Sequence, residues 1–203
     1  MPSASSVSRP RLVLATLNPG KVLELTALLA GVPFEVVALA AFPGATLPEE
    51  GADSYRDNAL LKARAVARAE GAWALGDDSG LEVDALGGAP GVRSARYGGP
   101  GLDDRGRCAR LLEALAGVPA EQRTARFRCV VALVDPAGHE HLTEGVVEGL
   151  IAEAPSGAHG FGYDPVFYYP PRACTFAELA AEEKRRVDHR GRAVRAARRV
   201  LHG

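Results

Sequence analysis

"RLVLATLNPGKVLELTALLAG", residues 11–31, changes character at its middle. Its first six residues form a mostly apolar, partly β-branched run, which predicts a short buried strand. From Asn18 onward, Val22, Leu25, Leu28 and Leu29 recur at helical spacing, and Gly31 supplies the stop. The rest of the chain repeats this alternation. "FEVVAL" (34–39) reads as a second strand. "DSYRDNALLKARAVARAEG" (53–71) reads as a helix with Tyr55, Ala59, Ala63, Val66 and Ala67 on one face. Ser54 and Asp57 mark its start in the manner of a capping box. "AWALGDD" (72–78) predicts a third strand that ends at its acidic pair, and "LDDRGRCARLLEALAG" (102–117) a further amphipathic helix. Two strand-like runs between 126 and 154 meet at Pro136–Gly138, which predicts a hairpin. Thr175 and Glu178 form a capping box, and "GRAVRAARRVL" (191–201) closes the chain as a helix. Strands alternating with helices, followed by a hairpin section, define a mixed α/β fold. Residues 1–10 read as a flexible tail and 11–203 as a single domain.

Composition narrows the function. The 203 residues are 47% hydrophobic and carry a formal net charge of -1, so the basic face of a duplex-binding protein is missing. With 6% aromatic residues and no basic excess, a single-strand nucleic-acid module is also disfavoured. Cys108, Cys129 and Cys174 are widely spaced and make no CxxC pair. They read as reduced thiols in a cytoplasmic protein rather than as a disulfide framework or a zinc site. "MPSASSVSRP" lacks the apolar centre of a signal peptide, and no run approaches the ~20 apolar residues of a membrane span.

Four stretches carry chemistry. In "TLNPGK" (16–21) a strand runs into a helix, a junction whose free N–H groups and positive dipole end suit phosphate. Lys21 adds a mobile charge there, and Thr16 and Asn18 add short polar side chains. The GxxxxGK[ST] spacing of a P-loop is missing, and such a turn also serves simply as a turn. In "DDSGLEVDALGG" (77–88), Asp77, Asp78, Glu82 and Asp84 gather beside several glycines. Carboxylates that close repel one another unless a cation sits between them, and oxygen ligands suit magnesium. A solvated acidic turn is the alternative. Glu49 and Glu50 in "PEEGAD" (48–53) offer a second acidic wall, or a pair of surface glutamates. In "GFGYDPVFYYP" (160–170), Phe161 between two glycines suits base stacking, or else it plugs the edge of the core. Asp164 is held extended by Pro165. "EKRRVDHRGRA" (183–193) places Lys184, His189 and Arg190 just before or at the start of the last helix, or else it is a basic run on a solvated face.

Taken in this order, "LATLNPGKVLEL", "EEGADSYRDNALLKA", "DDSGLEVDALGGAPGVRSARYGG", "GFGYDPVF" and "TFAELAAEEKRRVDHRGRA" resemble the inosine/xanthosine triphosphate pyrophosphatase family. The resemblance implies an elongated mixed α/β fold, with two lobes flanking a central nucleotide-binding cleft, assembled as a homodimer. It implies hydrolysis of non-standard purine nucleoside triphosphates (ITP, dITP, XTP) to the monophosphate and pyrophosphate, with Mg2+ as cofactor. Asp78 corresponds to the family's general base and metal-linked carboxylate, and Glu49 to its second metal ligand. Thr16, Leu17, Asn18, Pro19, Gly20 and Lys21 would hold phosphates, and Ser79 phosphate or sugar. Phe161, Gly162, Tyr163 and Asp164, with Lys184, His189 and Arg190, would receive the base. Lys184 or Arg190 would donate to the 6-oxo group, which adenine lacks. Two positions depart from the pattern. Asp188 stands where the family has serine before His-Arg, and Leu17 fills a loop position that is more often small or polar. A pyrophosphatase for pyrimidine or otherwise modified nucleotides is the nearest rival. A non-catalytic nucleotide-binding regulator is the other, although pure binding has little use for two adjacent carboxylates.

Overall fold

The computed structural model describes residues 9–51 and 53–202. Apart from Arg9 and Pro10, the expected N-terminal tail lies outside the described residues. Seven strands form one mixed sheet in the order β2-β1-β3-β4-β5-β6-β7. They are β1 (Arg11–Leu14), β2 (Glu35–Ala38), β3 (Trp73–Val83), β4 (Thr124–Val134), β5 (Glu140–Ile151), β6 (Phe167–Tyr169) and β7 (Cys174–Thr175). The helices are α1 (Pro19–Leu28), α2 (Tyr55–Glu70), α3 (Asp104–Ala114), α4 (Ala181–Val187) and α5 (His189–His202). β2, β1 and β3 pair in parallel through the βαβ connections read from the sequence; the remaining pairs are antiparallel. β4 and β5 are the expected hairpin. No helix among the described residues is long and apolar enough to cross a membrane.

β3 does not end at its acidic pair. It continues to Val83, because β4 pairs with it along its length, from Ala74↔Val134 to Val83↔Ala125. What does end there is β1, whose last pair with β3 is Leu14↔Leu75. The parallel half of the sheet therefore stops one residue before Gly76, and Asp77 and Asp78 lie in mid-strand. They are buried, at 1% and 4% exposure, so they are not a solvated turn.

Strand alternation then sends the two aspartates to opposite faces. One face packs α1 and α5 through Leu12, Leu14, Leu25, Leu75, Val131 and Val194. The other packs α2 through Val13, Ala59, Ala63, Val66, Ala74 and Ala132. α2 sits so close to β3 that a Cβ at Gly76 would lie 2.3 Å from the Ala59 carbonyl oxygen. A third core, containing Leu81, Leu111, Phe127, Val147, Phe167 and Phe176, joins α3 to the far half of the long strands. The Thr175–Glu178 capping box forms, but it closes a single 3-10 turn; the chain extends at Leu179 and Ala180 before α4 begins.

Candidate active site

The gap left where β1 departs is a cleft of about 310 Å³. Asp78 lines it, whereas Asp77 is sealed behind it. On the α1/α5 face, Asp77 Oδ2 receives Lys21 Nζ at 2.9 Å and Arg190 Nε at 3.3 Å. Burial alone would raise its pKa, but Lys21 and Arg190 hold it well below the usual carboxylate range. On the α2 face, Asp78 accepts from Asn58 Nδ2 at 3.0 Å and from the Ser79 N–H at 2.9 Å. Burial, with Glu50 adding to it, raises the Asp78 pKa against the pull of Lys62 and Lys21. One aspartate is a fixed anion and its neighbour is the more basic group. Lys62, 4% exposed, stays cationic because Asp77, Glu50 and Asp78 outweigh the cost of burying it.

Asn58, Lys62 and Glu24 escaped the sequence reading, and each carried a signal. Asn58 and Lys62 are four apart on the face of α2 that also bears Ala59, Ala63 and Val66, where a polar side chain needs a partner. Glu24 sits beside Leu25 on the buried side of α1, one turn from Lys21. It binds both cations expected at the base. Lys184 Nζ donates to Glu24 Oε1 at 2.8 Å and to Asp164 Oδ2 at 2.6 Å. Arg190 donates to Glu24, to Asp77 and, at 3.0 Å, to Ser79 Oγ. Arg190 is thus a buried strut, 2% exposed, with all three nitrogens engaged. Lys184 retains one of its three N–H donors.

Phe161 is half-buried. Lys184 Nζ and the Arg190 guanidinium lie 5.0 and 5.5 Å from its ring centroid. A Cβ at Gly20 would come within 2.8 Å of the same ring, so glycine there admits the aromatic against the first turn of α1. His189 stacks on Phe127 at 4.6 Å. Burial, together with the nearby Arg190 and Lys184 charges, keeps its pKa well below the ordinary histidine value, and its Nδ1 has no partner. Thr16, Leu17, Asn18, Lys21, Ser79 and Phe161 to Asp164 line the cleft with Lys184, His189 and Arg190. Pro19, Gly20 and Glu49 do not; Pro19 and Gly20 open α1, and Glu49 is exposed beside cleft-lining Glu50. The loop also uses two amides internally, Asn18 N–H on Thr16 Oγ1 at 3.2 Å and Lys21 N–H on Asn18 Oδ1 at 3.1 Å. Those two amides are therefore not free for a ligand, and the Lys21 side chain is itself tied to Asp77.

Asp188 caps the start of α5, its Oδ1 accepting from Gly191 N–H at 2.6 Å. Its second oxygen is buried without a partner. Burial and the Glu24 carboxylate outweigh Lys184 and Arg190 and push its pKa up to about 6. Unfolded, it titrates near the ordinary aspartate value of about 3.9. The fold holds the proton more tightly, so this group's contribution to stability is full below about pH 4 and is lost as pH rises through 6. Asp188→Ser should gain on the parent chain across that window and stay ahead at pH 7.5. Urea unfolding at pH 4, 5, 6 and 7.5 reads the difference, and a constant offset would contradict it.

An aromatic ring and lysines near a buried carboxylate line one cleft, a set of groups that suits a nucleotide polyphosphate. Comparison with known proteins places it further. A sequence profile of the Ham1 family matches residues 12–200, and the chain belongs to that family. It is 52% identical over 192 residues to the dITP/XTP pyrophosphatase of Desulforamulus reducens, covering 95% of this chain and 96% of the relative. It is 54% identical over 186 residues to a dITP/XTP pyrophosphatase of Thermus thermophilus, covering 92% and 89%. The structure of a HAM1 protein from Coxiella burnetii superposes with a TM-score of 0.86 at 40% identity, covering 95% of this chain and 98% of that one.

Proposed function

We propose that this chain hydrolyses ITP, dITP and XTP to the nucleoside monophosphate and pyrophosphate, removing non-standard purines from the nucleotide pool. The observation that carries the reading is the division of the aspartate pair. Asp77 is locked between two cations, whereas Asp78 opens into the cleft beside Lys62 and Ser79. A buried carboxylate facing a polyphosphate site suits a general base that takes a proton from water as it attacks the α-phosphorus. Lys21 and Lys62 lie where charge on the phosphates needs offsetting. Phe161 offers a stacking face, and the remaining Lys184 N–H offers a donor for the 6-oxo group.

The donors suit magnesium. No three acidic, histidine or cysteine side chains converge among the described residues, so an ion would share its oxygens with substrate phosphates, as magnesium commonly does. Asp78 would hold it. The resemblance of the sequence gives Glu49 as the second carboxylate; it is exposed outside the cleft lining, whereas the adjacent cleft-lining Glu50 is paired with Lys62. The bound ion would offset charge on the leaving pyrophosphate. A cytoplasmic homodimer is the location and assembly that this reading carries with it, from the resemblance of the sequence.

Pyrophosphate release from ITP, XTP, GTP and ATP, with magnesium and with a chelator, tests the proposal. ITP and XTP should turn over far faster than GTP and ATP, and chelation should stop them. Nucleotide binding with no pyrophosphate released would make the chain a regulator instead.

A further inference from the structure

The stacking loop is held by α3, whose Asp104 and Arg107 also line the cleft. Gly162, at φ +64, has no side chain of its own to anchor. Both of its peptide groups are tied to α3: its N–H donates to Asp104 Oδ2 at 2.7 Å, and its carbonyl accepts from Cys108 Sγ at 3.4 Å. The thiol contact is weak and the carboxylate one is charge-assisted, so Asp104 is the stronger tie. Asp104 is itself oriented, since its Oδ1 receives Arg107 Nη2 at 2.9 Å. Asp103 caps the same helix through Gly106 N–H at 2.7 Å. On the other flank, Phe161 N–H donates to Asp164 Oδ2 at 2.9 Å, and the Tyr163 hydroxyl donates to Ser94 O at 2.8 Å.

We infer that Asp104 is a positioning residue for base recognition, acting through Gly162 to fix the Phe161 ring. The inference rests on the proposed nucleotide site. Phe161 stands between glycines, where the backbone resists rotation least. Freed of Asp104, the Gly162 N–H loses its acceptor and the ring must be ordered by the base itself, a cost that falls on binding. Among the described residues, Asp104 shares no hydrogen bond with α1, α2 or β3, the elements that carry the proposed phosphate site.

Asp104→Ala and Asp104→Asn should be compared with the parent chain for kcat and KM on ITP. Calorimetric affinities for ITP and for inorganic tripolyphosphate, at fixed metal, complete the set. Asp104→Ala should raise KM and Kd for ITP about 10-fold, the lower end for a charge-assisted hydrogen bond. Its kcat and tripolyphosphate affinity should stay within about twofold of the parent. Asp104→Asn keeps an acceptor oxygen and should recover most of the loss. Unchanged ITP affinity, equal weakening of tripolyphosphate, or failure of the Asn variant to rescue would each overturn the inference. The affinities do not require turnover. A wild-type chain that released no pyrophosphate would defeat the proposed activity and leave this comparison to be read on its own.

Discussion

Asp78→Asn will lower turnover at least ~100-fold while nucleotide binding is largely kept, in line with the usual contribution of a general base. The substitution preserves shape. Asn58 Nδ2 and the Ser79 N–H both donate to Asp78, and an asparagine oxygen can accept only part of that pair's demand. The strand remains paired to Val130 on β4, which holds the backbone in place while one of the two side-chain hydrogen bonds is lost. What disappears is the charge facing the cleft. Lys21 and Lys62, the phosphate-facing cations of the proposed site, remain, which is why affinity should outlast turnover. Single-turnover rates and separately measured ITP affinity distinguish the two effects. Near-normal turnover in the variant would remove Asp78 from its assigned role.

Arg190→Ala will damage the fold before it alters selectivity. The guanidinium is buried and joins Asp77, Glu24 and Ser79, three groups from two elements. Removing it leaves two carboxylates short of a partner, and Asp77 has no exposure through which water could compensate. Breaking a buried ion pair from one side costs about 3–5 kcal/mol. Urea unfolding should show a loss of that order, and activity on ITP and ATP should fall together. A variant as stable as the parent, with only the ITP preference narrowed, would instead make Arg190 a direct donor to the base, as the sequence alone suggested.

That contrast shows where sequence reading reaches its limit. Local rules carried the elements: the strand-to-helix turn at Asn18, the α2 face from Tyr55 to Ala67 and the Pro136–Gly138 hairpin all rest on nearest-neighbour chemistry. The end of β3 did not, because β4, some fifty residues away, decides how far that strand extends. Candidate residues were legible as types, and most of them line the cleft. Their partners were not. Glu24 meets Lys184 and Arg190 from 160 and 166 residues away, and no spacing in the chain announces it. A cation that reads as a ligand donor in sequence becomes a strut once its carboxylates are in place. Asp188 shows the reverse, since a departure at a cap is absorbed by one hydrogen bond to Gly191 and recorded in a shifted pKa.

In the proposed reaction, water deprotonated by Asp78 attacks the α-phosphorus of a purine nucleoside triphosphate. Turnover of ITP in 18O-labelled water tests it most directly, with the products separated and weighed by mass spectrometry. The expected result is one labelled oxygen in inosine monophosphate and none in pyrophosphate. Label in pyrophosphate, or orthophosphate as the labelled product, would place the attack on another phosphorus and contradict it.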